Sequence, residues 1–232
     1  MSAELAVVAV GRMPYGPALA LQRDLAQRRI DGAIDRDLLV LVEHPPVVTL
    51  GRGTNPAHLS TPREFLEAKG IEVFEIERGG DVTFHGPGQL VGYPIIALAE
   101  HKQDLHWYLR QVEQALIVGL DQVGIAGTRS PGFTGVWTEG RKIASIGVHV
   151  KRWVTSHGFA LNVTTDLSYF DLIVPCGIEG VTMTSVQREL AERAPRDLWA
   201  RVTENVILGF ADTFTFRPQL VGVEDLERAD AR

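Results

Sequence analysis

The chain carries one cysteine, Cys176, set between a proline and a glycine in the run Val174-Pro175-Cys176-Gly177-Ile178. A thiol on a loop is displayed to a reactant, and attack on an acyl carbon is chemistry it can do. The alternative is a small core hydrophobe, although a cysteine in that role sits more naturally inside a helix or strand pattern. A second concentration of polar groups, residues 137–158, holds Lys142, Ser145, His149, Lys151, Arg152 and His157. Lys142 falls in a run that reads as a half-buried strand, where desolvation disfavours the charged ammonium and favours a group that exchanges protons. Solvated lysines are the commoner case, and Lys151-Arg152 reads as a solvated charge pair. The third segment is Arg78-Gly79-Gly80-Asp81-Val82-Thr83-Phe84-His85-Gly86-Pro87-Gly88-Gln89. Its four glycines let backbone amides approach a ligand, while Arg78 and His85 bring polar tips to the same loop. An elaborate hairpin turn explains the glycines equally well, and the run is not a phosphate-loop match. The seven histidines show no ligand spacing such as H-E-x-x-H, so no metal site is expected.

The elements that position these groups follow from periodicity and punctuation. Residues 6–10 read as a strand, and Gly16-Pro17 opens a helix that Asp31-Gly32 stops. Residues 38–42 and 47–50 are β-rich runs parted by His44-Pro45-Pro46, which cannot continue a central strand. Thr61-Pro62-Arg63-Glu64 has the form of a capping box before a short helix that Gly70 would close, and 72–77 alternates as a strand. Leu105, Leu109, Val112, Leu116 and Leu120 share one face of a helix over 103–123, which assigns them to the core. Strands are expected within 135–163, and a last helix starting near Pro195 carries Leu198, Val202, Val206 and Phe210. The mixture lacks strict strand–helix alternation. It predicts an α/β fold of the α+β type, a mixed sheet covered by helices.

The 232 residues are 45% hydrophobic, with no repeat and no linker, which predicts one domain over 1–216 and a polar, loose tail over 217–232. A lone thiol closes no intrachain disulfide, which excludes a secreted disulfide scaffold. The balance of 23 Lys+Arg against 29 Asp+Glu, a formal charge of −6, argues against a general nucleic-acid binder. No apolar stretch approaches the roughly 20 residues that span a bilayer. The opening run MSAELAVVAVGRMPYG has no basic residue ahead of its apolar segment and reads poorly as a secretory signal, so a cytoplasmic location is expected.

Taken together, RGGDVTFHGPGQLVGYP, GVWTEGRKIASIGVHVKRWVTSHGFALNV and PCGIEGVTMTSV, with EHPPVVTLGRG before them, closely resemble the octanoyltransferases that begin protein lipoylation. The resemblance covers roughly residues 38–186, in order. It implies a single-domain fold like that of biotin and lipoate protein ligases, and transfer of an octanoyl or lipoyl group from acyl carrier protein to a lipoyl-domain lysine. The acceptors it implies are the apo lipoyl domains of 2-oxoacid dehydrogenase E2 subunits and the glycine cleavage H protein, with a monomeric enzyme, no cofactor, no nucleic acid and no membrane. Carried over residue by residue, Cys176 is the nucleophile and Lys142 its activating partner. Arg78, Gly79, Gly80, Asp81, Val82, Thr83, Phe84 and His85 would line the acyl site. Ser145, Ile146 and Gly147 would join them, with Gly158, Phe159 and Ala160.

The implied reaction is a double displacement through a thioester, which lets two large partners visit one site in turn without ATP. Lowering a thiol pKa from about 8.5 to about 7 yields only a three- to fourfold gain, because nucleophilicity falls with basicity. Lys142 is therefore expected to act chiefly in proton transfer, with His85 and His149 as alternative bases and Asp81 as a loop orienter. The Gly177 amide is a candidate oxyanion donor. A closed apolar tunnel would set chain length at about 0.8 kcal/mol per CH₂. A basic rim of Arg52, Arg141, Lys142, Lys151 and Arg152 would receive acidic partners. The rival readings are an ATP-dependent lipoate protein ligase and a non-catalytic acyl-binding module.

Overall fold

The computed structural model describes residues 3–227. Among the described residues, ten strands form two sheets. The larger contains β1 (Ala3–Arg12), β2 (Asp37–Glu43), β6 (Gln89–Ile95), β7 (Gly135–Thr138), β8 (Arg141–Lys151), β9 (Val154–Asn162) and β10 (Phe216–Leu220), in the order β10-β1-β2-β6-β9-β8-β7. β1 runs parallel to both its neighbours and the remaining pairs are antiparallel, so the sheet is mixed as expected. The smaller sheet has the order β4-β3-β5, from β3 (Val47–Leu50), β4 (Glu72–Glu75) and β5 (Thr83–His85).

Strand alternation divides the apolar side chains between two faces, and helices cover both. Leu5, Val7, Leu39, Leu41, Phe159 and Leu161 meet α3 (Leu105–Asp121) and α5 (Leu198–Phe214) through Val112, Leu116, Val206 and Phe210. Ala6, Val8, Leu38, Val40 and Tyr93 meet α1 (Tyr15–Asp31) through Ala18 and Leu25, with Leu226 of α6 (Val223–Glu227) joining them. α3 and α5 approach closely because Gly209 lies on the Ala115 carbonyl, leaving no room for a side chain. Two short helices, α2 (Arg63–Ala68) and α4 (Val186–Leu190), complete the secondary structure used below.

Three local expectations differ from the fold. The Thr61 capping box does not form: α2 starts at Arg63 after Pro62, without a side-chain cap. Leu105 is 41% exposed, since it opens α3 before the helix reaches the sheet, and Asp104 caps the helix through Trp107 N–H. The tail expected from residue 217 begins inside β10, which pairs with β1, and Leu226 is buried. Residues 228–232 of that tail lie outside the described residues.

Candidate active site

A cavity of about 210 Å³ opens between the two sheets, bounded by β5 and the loop before it, β6, β8, β9, Tyr15 of α1 and the Cys176 turn. The nucleophile candidate sits on a short 3₁₀ turn, Pro175–Gly177, with Cys176 in the left-handed region at φ 57° and ψ 20°. A non-glycine residue held there stores strain of order 1–3 kcal/mol, so the surroundings must impose it. They do so through three backbone hydrogen bonds. Val174 N–H donates to the His58 carbonyl at 2.8 Å, Cys176 N–H to the Val82 carbonyl at 2.9 Å, and Gly177 N–H to the Val174 carbonyl at 3.0 Å. Beneath the turn, His58 Nδ1 and Asp81 Oδ2 lie 2.6 Å apart, and Asp81 Oδ1 accepts Val82 N–H at 2.7 Å. The Cys176 Sγ faces Ser145 Oγ at 3.5 Å.

Lys142 reaches the same cavity from β8 and is 1% exposed. Its Nζ lies 3.4 Å from the Thr134 carbonyl and 4.7 Å from the Trp137 ring centroid, and no ion pair to it occurs among the described residues. The backbone explains how a lysine fits inside: across the ladder Gly135 has φ 142°, and a Cβ there would stand 3.1 Å from Lys142 Cε. The Lys142 amide and carbonyl are tied to Thr182 and Thr184, which fixes the base of the side chain beside the segment leading from Cys176.

The glycine-rich loop contributes by alternation. Arg78, Gly80, Asp81, Thr83 and His85 line the cavity. Val82 and Phe84 do not: β5 turns them away into a separate cluster with Phe170, Ile173 and Met183. Gly79 also lies off the cavity, where its N–H ties the loop to the Val148 carbonyl at 2.8 Å. All six residues expected from the other two segments line it, in the register Ser145↔Ala160, Ile146↔Phe159 and Gly147↔Gly158. Gly158 lets β9 lie against the Gly92 carbonyl of β6, a contact that any side chain would block.

Several roles expected for neighbouring groups change. The Gly177 amide is spent on Val174 and is no free oxyanion donor, and the Cys176 amide is spent on Val82. His85 is buried between Gln89, whose Oε1 lies 2.8 Å from Nδ1, and Thr49; burial pushes its pKa down to about 3, too low for a useful base at neutral pH. His149 lies off the cavity, with its pKa lowered by desolvation and then by Arg52. Lys142 is inside and not on a basic rim, and Arg141 is engaged by Glu139 and Glu189, which leaves Arg52, Lys151 and Arg152 exposed. The lining is apolar along Val91, Ile146, Phe159 and Ala160 but polar at Tyr15, Tyr93, His85 and His157, so it is not a wholly apolar tunnel.

Sequence reasoning did not single out Tyr15, Tyr93, Phe133, Thr134 and Ile178, which line the cavity, or His44 and His58 behind it. His44 Nε2 lies 2.7 Å from the Tyr93 hydroxyl, and burial raises the pKa of that hydroxyl and of Tyr15. A tyrosine on a helix face carries no local sign that it borders a cavity. His44, Tyr93 and Ile178 fell within the quoted motifs and so had a signal.

A family model described as the lipoyl protein ligase A/B catalytic domain matches residues 14–207. The chain belongs to this family. Its relatives include an octanoyltransferase of Synechococcus elongatus, 47% identical over 98% of this chain and 95% of its own length. Another, from Nostoc sp., is 49% identical over 88% of this chain and 89% of its own. Among solved structures, the bipartite lipoate protein ligase of Thermoplasma acidophilum superposes with a TM-score of 0.77 at 17% identity, over 99% of this chain and 91% of that one. The Helicobacter pylori biotin acetyl coenzyme A carboxylase synthetase matches at a TM-score of 0.50 and 9% identity, over 90% and 74% of the two chains. The family fold expected from the sequence is therefore the fold observed. No helix among the described residues is long and apolar enough to cross a membrane.

Proposed function

We propose that the chain is an octanoyltransferase that moves an octanoyl or lipoyl group from acyl carrier protein to a lysine of apo lipoyl domains. The observation that carries this reading is the meeting of Cys176 and Lys142 in one partly apolar cavity between two sheets. The family membership and the names of relatives aligned over nearly the whole chain support it. In the first half-reaction the Cys176 thiol attacks the donor thioester and its proton passes to Lys142; the carrier C–S bond breaks, Lys142 returns the proton to the departing carrier sulfur, and the acyl group rests on Cys176. In the second, the acceptor amine attacks the enzyme thioester, the C–S bond breaks, and the proton shed by the amine is taken up as Cys176 is restored. The chain's own residues supply the nucleophile, the proton carrier and the acyl wall, and the donor thioester arrives already activated, so these steps call for no ATP.

Exposed Arg52, Lys151 and Arg152 are the cations left to meet acidic carriers, in a protein whose formal charge is −6. Their charge reversal should raise KM for the carrier and flatten its salt dependence. The deciding experiment is intact-mass spectrometry after incubation with octanoyl carrier protein, and again after adding an apo lipoyl domain. An octanoyl adduct on Cys176 that moves to the domain without ATP is expected. Octanoylation that proceeds only with ATP would instead make the chain a ligase, and acyl binding without any adduct would make it a binding module.

A further inference from the structure

Arg78 is a guanidinium inside the protein, 7% exposed, on the wall of the Cys176 cavity. Buried cations are ordinarily paired, because withdrawing one from water costs several kcal/mol. Among the described residues Arg78 makes only neutral hydrogen bonds: Nη2 donates to the Thr49 carbonyl at 2.8 Å and to Thr49 Oγ1 at 2.9 Å, and Nη1 to the Gly79 carbonyl at 3.1 Å. Its Nε has no partner. The nearby carboxylate, Asp81, is engaged by His58 and the Val82 amide instead.

The backbone is shaped to hold the group where it is. A Cβ on Gly51 would stand 2.7 Å from Nη1, and one on Gly147 3.1 Å from Cδ and 3.4 Å from Nη1. Three stretches of chain thus give up side chains or hydrogen bonds to seat a charge that forms no ion pair among the described residues.

We infer that Arg78 is a positioning residue whose fixed positive charge stabilises the negative charge that the reaction places on Cys176 sulfur and on the adjoining oxyanion. This rests on the transferase reading and assigns the electrostatic role that the occupied Cys176 and Gly177 amides do not fill. The Coulombic influence of Cys176 is the foremost one opposing the burial that lowers the Arg78 pKa, followed by Tyr15, Asp81 and Tyr93. The charged or titratable groups that share the cavity with Cys176 are Arg78 and Asp81 from the glycine-rich loop, His85 from β5, Tyr93 from β6, Lys142 from β8, His157 from β9 and Tyr15 from α1, with His58 behind the turn.

The test is the pH dependence of Cys176 alkylation by iodoacetamide, which needs no acyl substrate. Removing a neighbouring cation disfavours thiolate, so the midpoint should rise by about one pH unit in Arg78→Gln, with a roughly threefold slower rate at pH 7 once the higher nucleophilicity of the more basic thiolate is counted. Arg78→Lys keeps the charge but not the fork to Thr49, and should restore the midpoint to within a few tenths of a unit. Circular dichroism and thermal unfolding verify that both variants are folded. Should folded Arg78→Gln alkylate with the wild-type midpoint, or should Arg78→Lys shift as far as Arg78→Gln, the charge has no such role and Arg78 only holds the loop. An absent octanoyl adduct in the wild type would overturn the transferase reading while leaving this measurement intact.

Discussion

Gly177→Ala tests whether the Cys176 turn is placed by the groups beneath it. Gly177 has φ 66°, and a Cβ there would stand 2.6 Å from Asp81 Oδ2 and 3.0 Å from His58 Nδ1. The left-handed backbone costs alanine about 1–2 kcal/mol. The first contact is closer than real Cβ atoms reach, so something must shift, either the turn or the His58–Asp81 pair. The site is on a half-buried turn and not in the core, so global stability should fall by no more than about 2 kcal/mol. The chemistry is more sensitive: displacing a reacting atom by about 1 Å can cost on the order of 10²-fold. Single-turnover acylation of Cys176, followed by intact mass with an octanoyl thioester, should slow by about that factor, with the thermal midpoint lowered by no more than about 8 °C. A variant that is folded and acylates within twofold of the wild type would refute the idea that this contact sets the sulfur's position.

Lys142→Met should separate stability from activity, because methionine fills the slot with no polar end to satisfy: acylation should fall at least about 100-fold while unfolding free energy holds or rises by about 1 kcal/mol. A loss above about 2 kcal/mol in a denaturant titration would count against it. Three buried histidines, His44, His85 and His157, all have pKa values lowered by burial, His85 to about 3. His85 stays neutral in the folded chain well below the pH of about 6.5 at which it binds a proton in the unfolded chain, and the lowered pKa values of His44 and His157 act in the same direction, so stability should fall as pH drops below 6.5. For His85 alone this is roughly 2 kcal/mol at pH 5, and His85→Gln should flatten the profile; an unchanged slope argues against a neutral buried imidazole. Finally, Ala160→Leu adds three carbons to the apolar wall, and should raise KM for octanoyl more than for hexanoyl thioesters; equal changes would place the chain elsewhere.

The fold was largely legible because its signals are local. The helix over 105–121 and the paired strands 141–162 announce themselves by apolar periodicity and β-branched runs. The glycine-rich loop was legible as a ligand cradle only in part: alternation sends Val82 and Phe84 away from the cavity, which a run of adjacent residues hides until its strand direction is known. The oxyanion donor was misassigned for a related reason. An amide beside a nucleophile looks available in a sequence, but whether Gly177 N–H is already committed to Val174 is a fact of tertiary geometry. His58 was invisible because nothing local distinguishes it from a surface histidine; only the fold carries it under residues 174–177.

The two groups of the proposed reactive pair are mounted beside different sheets. Cys176 is anchored by Val82 and His58 on the side of the small sheet, and Lys142 is part of a strand in the large one. The chain passes between these sheets at residues 44–46 and 86–88, and both crossings contain proline: Pro45 and Pro46 in the first, Pro87 in the second. Proline fixes its own φ, so each crossing acts as a stiff strut. The separation of thiol and amine thus depends on these two crossings as well as on the hydrogen bonds that hold Lys142 and the Cys176 turn, and lengthening or softening either crossing would change it with both side chains intact.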